Sequence, residues 1–321
     1  NALYNLADSY LRTGDKTTAR NAFLLASRMD YDREIQEISR FNYAKTSYDL
    51  GNDRDAIRTL QSIPRTSAYH GEAQALLSDV FVNSRDYEKA LELLERMPGK
   101  NAELVQAYQK VAYARGVQLY NDERFNEARA MFNKSLQNTP DRKTKALSKY
   151  WLGEMSYVEG NYNKAILHFN DFLNAASKVR DLPDEASEYL AHYNLGYAYL
   201  RQGRYDVAAG HFQDAVNGLR LNLNYVKNTY IKDRVLPDAT LRAADSYFKI
   251  NNYLKATEYY DDAIKNPKRK DKITKQKFNN EFIKSKLNEI INFKGNARNW
   301  NEQESKNLKR VFIKAKSAYR R

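Results

Sequence analysis

The sequence has no cysteine among its 321 residues. Disulfides, thiolate metal centres and cysteine nucleophiles are therefore excluded, and the absence is compatible with an oxidising compartment. Histidine is scarce as well: His70, His168, His192 and His211 are the whole supply. None stands in the H-x-x-x-H or H-E-x-x-H spacing that offers two imidazoles to a metal from one helical face. No run approaches the roughly 18 apolar residues of a membrane span. No export signal or lipid-anchor cysteine is visible from Asn1 onward, so any such element is expected upstream. Pro98-Gly99-Lys100 lacks the rest of a phosphate-binding loop and marks a turn. Asn52-Asp53-Arg54-Asp55 lacks the spacing and closing glutamate of a calcium loop, and reads as a turn and helix start. Without a catalytic constellation the chain is expected to be non-enzymatic, with no cofactor and no metal site.

What the sequence has is a repeat. An alanine marks each copy, at Ala19, Ala56, Ala90, Ala128, Ala165, Ala208 and Ala256. Four residues later stands a large apolar residue: Phe23, Leu60, Leu94, Phe132, Phe169, Phe212 and Tyr260. Tyr87, Phe125, Tyr162, Tyr205 and Tyr253 precede the alanine by three, and Gly14, Gly51, Gly160 and Gly203 precede it by five. Seven matches in register are far beyond chance.

In the clearest copy, Leu195, Tyr199 and Tyr205 suit one face of a helical hairpin, and Ala208, Phe212 and Ala215 continue on a second helix. Gly203 sits where the first helix must stop, because glycine takes positive φ without a Cβ penalty. Gly196 and Ala208 fall where the two helices cross, and bulkier side chains there would force them apart. His192 and His211 belong to this same copy. The expected role of the two histidines is packing or hydrogen bonding rather than metal ligation.

These residues resemble the tetratricopeptide repeat, whose usual period is about 34 residues. The resemblance covers roughly residues 1–267 and implies an all-α, right-handed superhelix of about seven helical hairpins. The anchor spacings are 37, 34, 38, 37, 43 and 48. The last two intervals carry extra residues, around 177–188 and 217–237, as longer helices or connecting loops. Because Leu6, Ala7 and Tyr10 are already in the pattern, the chain is expected to be a piece of something longer.

The resemblance also implies that the first helix of each copy lines a concave surface. Fifteen residues before each anchor stand Tyr4, Phe41, Ala75, Tyr113, Tyr150, Tyr193 and Leu241. Seven residues on come Leu11, Tyr48, Val82, Tyr120, Tyr157, Leu200 and Phe248, with Asp8, Lys45, Asp79, Val117, Glu154, Tyr197 and Asp245 between. From these a partner-binding groove is predicted, carried by Tyr4, Phe41, Tyr48, Tyr113, Tyr120, Tyr150, Glu154, Tyr157, Tyr193 and Tyr197. Tyrosine suits such a surface because it offers rigid area and a hydroxyl at low entropic cost. The competing role for each ring is packing between helices. Family members that clamp a chaperone C-terminus use lysine at the first of these positions, and no lysine stands there in any copy.

The formal net charge is +13. Residues 268–321 hold 17 Lys/Arg against 5 Asp/Glu, so nearly all of the excess lies there and the repeat array is close to neutral. Stripes at Phe278, Phe282, Leu287 and Ile291, and at Leu308, Val311, Phe312, Ala315 and Tyr319, predict a basic C-terminal helical pair, serving as a cap or a binding surface. Its cationic face would include Lys284, Lys286, Lys306, Lys309, Arg310, Lys314 and Lys316.

Longer strings look more specific. They are Met29-Asp30-Tyr31-Asp32-Arg33-Glu34-Ile35-Gln36-Glu37 with Phe41-Asn42-Tyr43-Ala44-Lys45, the stretch from Ala112 to Asn121, and that from Ala191 to Tyr199. Together they resemble the long tetratricopeptide proteins of Bacteroidetes-type bacteria that are exported to the cell envelope. The resemblance implies a periplasmic or outer-membrane-associated scaffold in a multiprotein assembly, near protein secretion or cell-wall machinery. Its partners would be proteins or peptides, with membrane association only through an unseen anchor or partner. The competing function is binding of an anionic polymer or surface (nucleic acid, acidic lipid or cell-wall polymer) through the basic segment. The array itself lacks the charge balance for nucleic acid. If the anchor alanines are packing residues, Ala165→Trp should overpack one crossing and cost about 1–3 kcal/mol or more. An unchanged thermal unfolding curve would remove that role.

Overall fold

The structure is a computed structural model that describes residues 1–84 and 86–265. Among these residues there is no strand, and the helices pair into seven hairpins. They are α1 (Ala2–Arg12) with α2 (Lys16–Ala26), α3 (Arg33–Asp49) with α4 (Asp53–Gln61), and α5 (His70–Val82) with α6 (Tyr87–Arg96). Next come α7 (Ala102–Asn121) with α8 (Phe125–Gln137), and α9 (Arg142–Val158) with α10 (Tyr162–Ala176). The last are α11 (Glu188–Arg201) with α12 (Tyr205–Leu221), and α13 (Leu236–Lys249) with α14 (Tyr253–Lys265). The hairpins form two compact units, residues 1–148 and the residues from 149 on, so the division falls within α9. The helical pair expected over 268–321, with its seven named basic residues, lies outside the described residues.

Six of the hairpins turn in the same way: the chain reverses within a few residues, and the position five before the anchor alanine takes a left-handed conformation. Gly14, Gly51, Gly160 and Gly203 occupy it at φ between 73° and 86°, and Glu123 and Asn251 adopt the same region at 60° and 62°. The requirement is therefore one of backbone path, which glycine meets most cheaply. Side-chain oxygens then cap several of the second helices. Asp15, Asp86 and Asn161 each accept from the backbone N–H three residues on. Asn52 and Asp53 stand at the start of α4, as the sequence indicated.

The anchor alanines are all buried, and so is the large residue four positions later in every copy. The first helix presents a small residue to that large one. A Cβ added to Gly116 would lie 2.7 Å from the ring of Phe132, one on Gly153 2.8 Å from Phe169, and one on Gly196 2.8 Å from Phe212. Phenylalanine thus fills the space that glycine vacates, and the two helix backbones approach closely. Where the second helix carries the smaller Leu60 or Leu94, the first carries Ala44 or Ser78. Total volume at the crossing is what packing constrains.

The two stretched intervals differ from the rest as the spacing predicted. One contains a single short turn at Asp184–Ala186 between α10 and α11, and the other a loop that enters α13 through a wide helical turn at Ile231–Val235. The two insertions are tied together. Asp184 Oδ2 accepts from the backbone N–H groups of Lys227 at 2.6 Å and Asn228 at 2.9 Å, while Asn228 Nδ2 donates to Glu185 at 2.9 Å.

The crossing yields a paired prediction. Gly196→Ala should destabilise the protein by about 1–3 kcal/mol through overpacking, and Gly196→Ala combined with Phe212→Leu should recover part of that loss. Urea unfolding of the single and double variants measures the coupling. Additive losses would show that ring and glycine are not matched.

Candidate functional site

The predicted groove residues all lie on first helices, and the structure places them as follows. In the first unit Tyr4 leans on Phe23 with centroids 5.9 Å apart, Tyr113 on Phe132 at 6.0 Å, and Tyr120 on Phe125 at 5.4 Å. Tyr48 is partly buried and its hydroxyl accepts from Asn83 Nδ2 at 3.1 Å. Phe41 is buried and stacks on Tyr69. In the second unit Tyr150 is only 3% exposed and packs against Phe169 at 5.6 Å and Phe172 at 5.2 Å. Tyr157 meets Tyr162, and Tyr193 and Tyr197 lie edge to face 5.0 Å apart with both rings on Phe212. Two members of the predicted groove, Phe41 and Tyr150, are thus core residues and cannot grip a ligand.

The reason is angular. At about 100° per residue, positions fifteen, eleven and eight before the anchor lie within an arc of about 100° of position twelve, the small residue that faces the second helix. The predicted stripe is centred on the hairpin crossing, and its rings turn inward onto the phenylalanine. Only the edge of the stripe remains partly accessible.

That edge is polar in the second unit. Asn194 Nδ2 donates to Glu154 Oε1 and to the Tyr150 hydroxyl at 3.2 Å, joining α11 to α9. Tyr193 donates to Asp238 Oδ2 at 2.9 Å, and Tyr197 donates to the same oxygen, joining α11 to α13. Arg242 binds Asp245 at 2.9 Å and approaches Asp238 at 3.4 Å, and the Tyr260 hydroxyl donates to Asp245 at 2.7 Å. The result is a seam of tyrosines and carboxylates along three successive first helices. Burial holds the Glu154 carboxyl above its ordinary value, partly offset by hydrogen bonds from Tyr150 and Asn194. Burial, reinforced by the Asp238 charge, raises Tyr193 and Tyr197, so both stay protonated donors. Asn194, Asp238 and Arg242 were missed in the sequence. They stand eighteen or fourteen residues before an anchor, one step around the helix from the stripe, and periodicity alone does not single them out.

The first unit has its own lock between successive hairpins. Arg20 of α2 donates to Ser47 at 2.8 Å and Tyr43 at 3.0 Å of α3, and to Asp55 of α4 at 2.5 Å. A cleft in this unit is lined by second-helix residues instead, among them Asp53, Arg58, Lys89 and Leu93.

The structure also brings His192 and His211 together, with their Nδ1 atoms 3.0 Å apart and Asp214 beside them. Burial lowers both imidazoles, and the neighbouring His192 lowers His211 further, to about 4. Both are neutral at pH 7 and could serve as ligands.

Paired antiparallel helices stacked in series, with buried alanines at each crossing, define a helical-repeat solenoid. Two stretches, residues 1–24 and residues 189–217, match family models of the tetratricopeptide repeat. No curated protein matches it. Similar solved structures include a signal-transduction ATPase with a tetratricopeptide-repeat sensor from Pyrococcus horikoshii. It is 18% identical over 81% of this chain and 40% of its own, with a TM-score of 0.40. The chain therefore spans less than half the length of that protein. Another is the C-terminal part of a repeat protein from Cytophaga hutchinsonii, 16% identical over 83% of this chain and 97% of its own, with a TM-score of 0.47. A third is the TPR2AB domain of yeast Sti1 in complex with pHSP90, 14% identical over 82% and 88%, with a TM-score of 0.37. As a class, tetratricopeptide repeats are scaffolds that bind proteins or peptides. Among the described residues no helix is long and apolar enough to cross a membrane.

Glu154 gives the seam a pH signature. Its ordinary value is 4.5 and the folded protein holds it higher, so folding takes up protons in that interval. The stabilisation is complete below the ordinary value and is lost as pH rises through the elevated one. Glu154→Gln should therefore equal or exceed the unsubstituted protein in stability at neutral pH, and the unsubstituted protein should gain on it as pH falls toward 4.5. Urea midpoints across that range provide the measurement, and a difference independent of pH would show that the carboxyl is not enclosed.

Proposed function

We propose that the protein is a non-catalytic scaffold for protein–protein interaction that holds an extended peptide or partner segment along the seam of α9, α11 and α13. The observation that carries this reading is the juxtaposition of partly accessible tyrosines with Asp238 and Asp245, in a seam where Arg242 pairs with these carboxylates and Arg201 hydrogen-bonds Tyr157. Tyr157, Tyr193 and Tyr197 supply rigid area with fixed hydroxyls, and Asp238 and Asp245 favour a segment with basic residues between apolar ones. Tyr48, Tyr113 and Tyr120 provide the corresponding first-helix edge in the first unit. Tyr150 and Glu154 act by supporting the seam. The setting we propose is a multiprotein assembly of a bacterial cell envelope, periplasmic or associated with the outer membrane. Its support is the likeness of the strings around Met29, Ala112 and Ala191 to exported envelope proteins of this family. The basic residues of 268–321 would add an anionic contact in the same assembly.

A peptide library displayed against the full chain tests the proposal. Selected sequences should combine lysine or arginine with aliphatic residues. Replacing Tyr157 and Tyr193 together by alanine should weaken the best peptide by about 2 kcal/mol or more, roughly 30-fold. Far-UV circular dichroism should remain unchanged. Peptides held equally well by the double variant would move the binding surface to the second helices or to the basic segment.

A further inference from the structure

The sequence led us to expect no metal site, yet three groups that can ligate a metal converge within one hairpin. His192 projects from α11, while His211 and Asp214 stand three residues apart on α12 and so share a face of that helix. The two Nδ1 atoms are 3.0 Å apart, and His192 Nδ1 lies 3.7 Å from Asp214 Oδ2. The three donor atoms are all within 4.8 Å of one another. Around a tetrahedral zinc ion with bonds of about 2.0–2.1 Å, neighbouring donors are separated by roughly 3.3–3.4 Å. The two imidazoles and the carboxylate are therefore within a few tenths of an ångström to about 1.5 Å of coordinating geometry, the larger adjustments falling to the exposed, rotatable Asp214.

From this we infer that His192, His211 and Asp214 form a divalent transition-metal site, with zinc as the fitting ion, that clamps α11 to α12. The surroundings support it. The His211 ring lies flat on Tyr199, with centroids 5.3 Å apart and planes 6° from parallel, and the Arg204 guanidinium covers the Tyr199 ring at 4.7 Å. This stack fixes the plane in which His211 presents Nδ1. Glu188, one helical turn before His192, adds a second negative charge beside the cluster. Asp214 is exposed, so ions can reach the site and water can complete the coordination shell. Two nitrogens and one carboxylate suit zinc and its neighbours rather than magnesium or calcium, which require oxygen ligands. In the metal-free hairpin one Nδ1 carries the hydrogen that the other accepts. On binding, both Nδ1 atoms turn lone pairs to the metal and both rings carry hydrogen on Nε2, a change of tautomer that releases no net proton. The bound ion would tie the two helices of the sixth hairpin at a point away from the Gly196–Phe212 crossing.

The test uses the full chain, stripped with chelator and dialysed. Zinc titrated by calorimetry should bind with one equivalent per chain, and the thermal midpoint should rise with zinc concentration, as expected for a ligand of the folded state. His192→Gln and His211→Gln should each weaken binding by about tenfold or more, Asp214→Asn should weaken it less, and His70→Gln should leave it unchanged. Since His211 also packs on Tyr199, His192→Gln decides the matter if His211→Gln fails to fold. Absence of saturable zinc binding, or equal binding by His192→Gln, would overturn the assignment and leave the pair a histidine–histidine hydrogen bond.

Discussion

The close crossing of two helices inside each hairpin is the constraint on which the rest of this protein depends. A solenoid has no central core, so its stability is the sum of what each helix buries against its neighbours. Here the second helix buries a ring against the first, and the first concedes the volume. Phe132, Phe169 and Phe212 face Gly116, Gly153 and Gly196. Leu60 and Leu94 occur in copies whose corresponding first-helix residues are Ala44 and Ser78. The match is not strict, because Phe23 is paired with Ala7 and Tyr260 with Ala244, so those crossings must open slightly or place the ring differently. The backbone separation set at Gly196 also fixes the separation of His192 from His211 and the height at which Tyr193 and Tyr197 meet Asp238.

The hairpins were legible in the sequence because they arise from local rules repeated many times. An alanine at the crossing, a ring four residues on and a left-handed turn five residues before are each readable within one copy. Glu123 and Asn251 show how firm the turn is, since they adopt glycine's conformation without being glycine. The groove was less legible because one helical stripe was asked to serve two purposes. Tyr150 has the spacing of a groove residue, but that spacing also points it at Phe169, and burial of a ring outweighs its exposure. The polar seam could not be read within a copy. It joins Glu154 to Asn194 and Tyr193 to Asp238, 40 and 45 residues apart, across the two stretched repeats, whose register depends on how inserted loops fold.

The seam and the Arg20 cluster answer the same problem differently. Successive hairpins need a polar interaction that sets their register, since apolar packing alone allows sliding. In the first unit one arginine reaches across to Ser47, Tyr43 and Asp55. In the second, neutral hydroxyls and an amide donate across the joints to carboxylates, two of which are paired with Arg242 within α13. Register and recognition then draw on the same groups, so a ligand that competed for Asp238 would also loosen the joint between α11 and α13.

The bond between the two insertions carries an evolutionary consequence. Repeat arrays ordinarily lengthen and shorten by whole units, because each copy contacts only its neighbours. Asp184 breaks that rule. It precedes α11 and holds the amides of Lys227 and Asn228, which follow α12, so the sixth hairpin is clasped between two segments that need each other. Excising it would strand the carboxylate on one side and two backbone donors on the other, and duplicating it would leave one copy without its clasp. This part of the array is fixed in number, whereas hairpins without such a bond remain free to be gained or lost.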